Sequence, residues 1–404
     1  MAGTEIKIFQ SLEEIPRDEW RGIEVADFPF ARWEFLSALE KGGCLGDRTG
    51  WAPLYLTVWE GGSLRAALVS YLKSNSYGEY IFDFQWAQAY QMRKVPYYPK
   101  LTSAIPFTPA TGPKLLGDSS RFQALLVAVR ELAVSLNASS VHHLFVPSSQ
   151  IDVYRRVGLE VRHSYQYHWK NGRHRGTTAD GGPKVIGETN QESANETGLK
   201  YDTFEDFLGD LRGKRRREIL RERSQAQSSA LRIRRITGDE LTVDHARIMH
   251  RFYQDTVFKM GGFDYLTLGF FVQAFETMKD QILFVLAENS EGRPVAGALN
   301  YFGPSTLFGR HWGCLEDYKS LHFELCYYQG IEFTISRGLS LFEAGAQGEH
   351  KFQRGFMPSL TYSAHEIFEE SLREPIARFM DMEKLQIRRM FEEYEKSTPF
   401  SRES

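Results

Sequence analysis

Two stretches decide the fold. The first, Trp51–Asp83, places the apolar run Leu54–Trp59 before the turn Glu60-Gly61-Gly62-Ser63, then Leu64–Tyr71, then Tyr77–Asp83. The second places Ile282–Ala287 before Asn289-Ser290-Glu291-Gly292, then Pro294–Phe302 and Thr306–Trp312. Apolar runs rich in β-branched and aromatic residues, parted by Gly and Asn, predict a hairpin and a third strand in both places. Their second strands share an Ala, Ala-Leu, Tyr skeleton: Ala66, Ala67-Leu68 and Tyr71 against Ala296, Ala298-Leu299 and Tyr301. The downstream segments match as well. Phe122–Leu136 has helical apolar spacing, breaks at Asn137 and leads to the apolar strand Val141–Val146. Leu325–Ile335 does the same, stops at Arg337-Gly338 and feeds Leu339–Phe342. The order helices, hairpin, strand, helix, strand, met twice, predicts duplication of one α/β module.

Working outward, the polar run Asn171–Lys200 divides the chain into 1–170, a loop or insertion at 171–200, and 201–404. Past it, Thr203 and Asp206 are spaced as a helix cap and its third residue. Glu369–Lys396 carries the apolar stripe of a last helix, with Ile376, Phe379, Met380, Leu385, Ile387, Met390 and Phe391. The 404 residues suit two domains, and 42% hydrophobic with 25% charged residues excludes global disorder. A net charge of -3 argues against a wholly basic nucleic-acid coat but leaves room for one local basic patch. Three cysteines (Cys44, Cys314 and Cys326) without CxxC spacing form neither a disulfide framework nor a zinc knuckle. Met1–Arg17 has no apolar core of a secretory signal and no stretch has membrane-span length, so a cytosolic protein without a transmembrane segment is expected.

Four clusters hold chemistry. Tyr97–Pro113 is Pro-rich and bordered by Tyr98 and Lys100; it reads as the wall of a substrate cleft or as a structural crossover. Gly345-Ala346-Gln347-Gly348-Glu349-His350-Lys351-Phe352-Gln353-Arg354 follows the apolar strand ending near Glu343. Its glycines permit close backbone approach, and its polar groups crowd where open α/β sheets hold ligands; a solvated turn is the alternative. His311, inside Gly309–Cys314, is a structural histidine or a substrate contact. The basic run with Arg215, Arg216, Arg217 and Arg221 is a phosphate-facing ridge, or a solvated helix paired with Glu218 and Glu222. GxSxG, HExxH, GxGxxG, P-loop and clustered Cys/His patterns are absent, which argues against hydrolase, zincin, dinucleotide oxidoreductase and metal chemistry.

The Tyr97–Pro113 stretch, Gly309–Cys314, Leu321-His322-Phe323-Glu324, and Gly345–Pro358 with Tyr362-Ser363-Ala364-His365 resemble an N-acyltransferase family. That family is grouped with the Fem-like peptidoglycan aminoacyltransferases and the GNAT superfamily, and the resemblance spans nearly the whole chain. It implies an α/β (α+β) fold of two tandem GNAT-like modules, each a mixed sheet flanked by helices. It further implies transfer of an acyl or aminoacyl group to an amine, with no tightly bound cofactor. The co-substrate would be acyl-CoA, an acyl carrier or aminoacyl-tRNA. The acceptor would be a small-molecule or lipid amine, as in relatives resembling ceramide synthases, or a peptidoglycan-type peptide. A lipid acceptor would entail peripheral membrane contact, and tRNA would be a partner through Arg215, Arg216, Arg217 and Arg221. A non-catalytic module recognising cell-wall peptide or glycan is the alternative.

Acyl transfer needs a base for the attacking amine and donors for the developing oxyanion. Glu343 or His350 is the expected base, with Tyr362 or His365 as proton donor to the leaving group. Backbone N–H groups of Gly345–Gly348, Gln347 included, are expected on the acyl carbonyl. Lys351 and Arg354 are expected on anionic groups of either substrate, and Tyr98, Lys100 and His311 on the acceptor side. No metal ligand is expected.

Overall fold

The computed structural model describes residues 3–172, 200–228, 230–345 and 348–401. Except at its ends, the predicted insertion 171–200 lies outside the described residues, as do Ala346 and Gln347.

The first half of the chain runs β1 (Thr4–Phe9), β2 (Trp51–Glu60), β3 (Ser63–Lys73), β4 (Lys100–Ser103), β5 (Leu115–Gly117), β6 (Ser140–Val146) and β7 (Glu160–Lys170). The second runs β8 (Arg232–Ile236), β9 (Ile282–Glu288), β10 (Pro294–Phe302), β11 (Thr306–Cys314), β12 (Leu341–Glu343) and β13 (Met357–Ile367). Both expected hairpins form. Gly61 and Gly62 adopt φ of 59° and 85° between β2 and β3. This is the left-handed geometry that matches strand twist and that glycine adopts without a Cβ clash. Between β9 and β10 the Asn289 side chain accepts from the Glu291 and Arg293 amides, both at 3.0 Å, and Gly292 supplies φ 75°.

One pairing order occurs twice. β1–β2, β2–β3 and β3–β4 are antiparallel, then β4–β6 is parallel. Likewise β8–β9, β9–β10 and β10–β11 are antiparallel, then β11–β12 is parallel. Each parallel step needs a crossover, which the helix Phe122–Ser135 and the helical run Leu321–Ser336 provide. The mixed α/β architecture and the duplicated module are thus both present.

The last strand is exchanged between repeats. β13, which follows β12 in the chain, pairs antiparallel with β6. β7, which follows β6, pairs antiparallel with β12. The two compact units are therefore Met1–Tyr165 with Tyr265–Phe270 and Thr361–Arg389, and Gln166–Asp264 with Phe271–Leu360 and Met390–Ser404. A linear split into 1–170 and 201–404 separates the repeats but not these units, because strand pairing is non-local.

One expected strand does not form. Tyr77–Asp83 is not extended; Gly78 and Tyr80, at φ 77° and 59°, break the run. The third strand of that repeat is β4, inside the Pro-rich stretch and between its prolines. In the first unit the helical stretch Leu372–Met380 packs on Trp86, Tyr90 and Tyr97, as its apolar stripe required. In the second unit Gly297 and Gly313 face each other across β10 and β11, and a Cβ on either would strike Phe252. The helix Val243–Lys259 thereby lies directly on the sheet. Thr203 closes its capping box with Asp206 as expected, ahead of the helix Phe204–Asp210.

Candidate active site

In the second unit, the chain leaves β12 at Glu343 and turns through Gly345 and Gly348, at φ 82° and 114°, into the short helix Glu349–Arg354. His350 sits over Gly348: a Cβ there would lie 2.7 Å from the imidazole Cε1. Its Nε2 is 2.8 Å from the Tyr327 hydroxyl. Burial, then the cations of Arg354 and Lys351, lower the His350 pKa below its usual 6.5. The ring is neutral at pH 7 while its edge stays open to solvent.

Tyr327 comes from a π-helical turn, Glu324–Tyr328, within the helical run Leu321–Ser336. That turn sets the rings of Tyr327 and His322, five residues apart, at 5.4 Å. His322 also packs edge-on to Trp312 at 5.1 Å, and burial pushes its pKa down to about 4. Lys351 is buried and donates to the Gly345 carbonyl at 2.8 Å, and burial draws its ammonium down to about 8. Burial raises the Cys326 thiol well above its usual range, so it is no thiolate nucleophile.

Arg354 braces the group from beneath. Its guanidinium donates to Glu222 at 3.0 and 2.5 Å and to the His350 carbonyl at 2.7 Å, and lies 3.6 Å over the Phe323 ring. Tyr328 donates to the same Glu222. Arg354 is thus a structural brace in an internal ion pair, where an anion contact was expected. Glu343 is buried at the end of β12, 3.9 Å from His168, whose own pKa burial lowers to about 3. His311 packs between Tyr253 and Phe271 at 5.3 and 6.1 Å, and burial holds it neutral. The site therefore gathers His350, Lys351, Gly345, Gly348 and Arg354, which the sequence pattern points to. It adds Tyr327 and His322, which that pattern does not single out as site residues.

Four of the other named residues, Tyr98, Lys100, Tyr362 and His365, belong to the first unit. Lys100 is fully buried and donates to Ser76 and Glu79, both at 2.8 Å, and to Asp83. Tyr98 bonds Ser76 at 2.7 Å. Tyr97 donates to Asp83 at 2.6 Å and lies 3.3 Å from His142 Nε2. His142 and His365 share a 2.7 Å Nδ1–Nδ1 bond, and His365 Nε2 meets Ser363 at 2.7 Å. Burial keeps both imidazoles neutral. Lys100, Tyr98 and His365 thus share one buried network, while Tyr362 lies on the opposite face of β13, its ring 5.2 Å from His163.

The four arginines lie on the helix Gly213–Gln227. Arg216 donates to the carbonyls of Leu208, Gly209 and Leu211, satisfying the end of the preceding helix. Arg215 pairs with Glu218 and Gln353 at 2.9 and 3.1 Å, while Arg217 and Arg221 are exposed one turn apart.

The FemAB-like family, described as peptidoglycan biosynthesis/recognition, matches residues 11–178 and 191–402. The chain belongs to this family. Among solved structures it is similar to the C-terminal (DUF2156) domain of a candidate lysylphosphatidylglycerol synthetase from Agrobacterium fabrum. Identity there is 9%, with 84% of this chain and 87% of that one covered and a TM-score of 0.50, a likeness of fold alone. It is also similar to FemX, at 11% identity, 92% and 100% coverage and a TM-score of 0.48. A tandem GNAT protein from the clavulanic acid pathway matches at 10% identity, 90% and 98% coverage and 0.42. No curated protein matches the sequence. Among the described residues no helix is long and apolar enough to cross a membrane.

Proposed function

We propose that the chain is an N-acyltransferase whose chemistry takes place at His350 and Tyr327. The observation that carries this reading is a neutral, solvent-accessible imidazole hydrogen-bonded to a buried phenol beside two cations. A neutral amine attacks the acyl carbon of an ester or thioester, forming the C–N bond. The proton lost by that nitrogen passes to the imidazole of His350. Burial raises the Tyr327 pKa, so the phenol stays protonated and relays a proton to the departing oxygen or sulfur as the old bond breaks. The Lys351 ammonium, held on the Gly345 carbonyl just past β12, supplies positive charge toward the oxyanion. Membership in a peptidoglycan biosynthesis/recognition family supports a cell-wall peptide as acceptor, with a lipid amine as the second class to be tested.

The test offers purified protein acyl-CoA esters or aminoacyl-tRNA with amine acceptors of both classes, and follows the amide product by mass spectrometry. An acyl-CoA donor should also raise the melting temperature on binding. A tRNA donor should bind through Arg217 and Arg221 with affinity falling steeply as salt rises. His350→Ala should lower turnover about 10²–10⁴-fold without changing the melt. Full turnover in that variant, or binding of cell-wall peptide with no covalent product from either donor, overturns the reading.

A further inference from the structure

In globular proteins acids ordinarily face water and rings face the core. Residues 76–84 of the first unit reverse that rule. Ser76, Glu79, Ile81 and Asp83 are buried, whereas Tyr77, Tyr80, Phe82 and Phe84 are exposed by 61, 38, 58 and 49%. The cause is Lys100. Its buried ammonium takes both carboxylates of the stretch into the interior, and their chain neighbours Tyr80, Phe82 and Phe84 are left outside.

Three of the exposed rings, Tyr77, Phe82 and Phe84, form one patch. Phe82 and Phe84 stack at 5.9 Å, and Tyr77 lies 6.4 Å from Phe84. The helix Phe84–Met92 continues it: Trp86 and Tyr90 point inward, while the outward side shows Gln85, Gln88, Gln91 and Met92, the last 73% exposed. Arg93 and Lys94 follow, both exposed. From 77 to 94 no acid faces solvent, because the stretch holds only Glu79 and Asp83. Glu369 comes near Arg93, but its carboxylate is held by the amide and hydroxyl of Ser371.

We infer that residues 77–94 dock on the surface of an anionic lipid bilayer. Phenol and phenyl rings suit the boundary between headgroup and acyl chain, and a cation pair at the rim suits phosphate. A surface ring cluster with amide neighbours and a cation pair, bordered by Glu369 held on Ser371 and Glu383 paired with Arg162, is complementary to that interface in polarity and in charge. The inference is independent of acyl transfer, and its test uses no acyl donor.

The full chain is sedimented with vesicles of phosphatidylcholine alone or with about 30 mol% phosphatidylglycerol. Partition should favour the anionic vesicles by on the order of tenfold and weaken with salt. Phe82→Ser with Phe84→Ser, and separately Arg93→Glu with Lys94→Glu, should each lower it by on the order of tenfold, with unchanged melting because all four side chains are exposed. Equal partition to uncharged vesicles, indifference to both double substitutions, or a dimer in sedimentation velocity that the phenylalanine substitutions abolish would overturn it.

Discussion

Lys100→Met tests the arrangement that organises the first unit. The side chain is wholly buried and donates to Ser76, Glu79 and Asp83. Methionine keeps most of the volume but removes the charge, stranding two buried carboxylates beside each other. Breaking a buried ion pair from one side costs about 3–5 kcal/mol. For a unit of this size that is roughly 6–20 °C in melting temperature, at about 2–4 °C per kcal/mol. The sign of the pH dependence follows from the two acids. Burial, only partly offset by Lys100, raises Glu79 to about 7. Burial also raises Asp83, but the Lys100 charge and the bonds from Lys100, Tyr97 and Ser76 outweigh it, and its net shift is downward. Without Lys100 both acids move up. The folded variant then holds more protons than the unfolded chain across the acid-to-neutral range, so its stability falls as pH rises. The deficit against wild type should be smallest near pH 5 and largest near pH 8, where deprotonation of both acids leaves like charges buried. Calorimetry at both pH values measures it, and Lys100→Met with Glu79→Gln and Asp83→Asn should recover at least half of the loss. A single variant within about 1 kcal/mol of wild type at pH 8, or a deficit that ignores pH, refutes the reasoning.

Turnover should trace a bell: it falls on the acid side as His350 protonates, below its usual 6.5, and on the alkaline side near 8 as Lys351 loses its proton. Lys351→Met should abolish the alkaline limb and keep the acid one, read from a pH–rate profile. Glu222→Gln leaves the buried Arg354 guanidinium uncompensated, costing about 3–5 kcal/mol in denaturant titration, with Glu222→Asp partly restoring it. Gly313→Ala puts a Cβ 2.1 Å from the Phe252 carbonyl oxygen, where only backbone could yield; a loss at or above the upper end of about 1–3 kcal/mol should appear in thermal melts.

Much of the fold was legible because its signals are local. Asn289 and Gly61-Gly62 specify turns by their own φ values and hydrogen bonds, and the helix at Phe204 is announced by Thr203 and Asp206 three residues apart. The exchange of β7 and β13 was not legible. Both strands have the right composition, and nothing in composition says which of two equivalent edges a strand joins. The misreading of Tyr77–Asp83 has a related cause. Alternation of inward and outward residues reads as a strand, yet here the inward members are acids tethered to Lys100 rather than apolar residues meeting a core. The pattern was real and its chemistry was inverted.

The candidate site divides along the same line. His350 and Lys351 stood out because ionisable residues crowd a glycine-marked turn at a strand end. Arg354 and Arg216 stood out for their charge, but charge does not reveal its partner: one is spent on Glu222 and the other on helix-end carbonyls. Tyr327 was hidden by helix geometry. In a regular helix His322 shares its face with residues three and four ahead, Leu325 and Cys326, and neither suggests proton transfer. The π turn inserts the extra residue that brings position five ahead into line, setting Tyr327 beside His322 and against His350. Tyr327→Phe keeps the ring and the π turn and removes only the hydroxyl that meets His350, so it should lower turnover by about 10²-fold or more with an unchanged melt. Full turnover in that folded variant would show that Tyr327 carries no proton, and that His350 works alone.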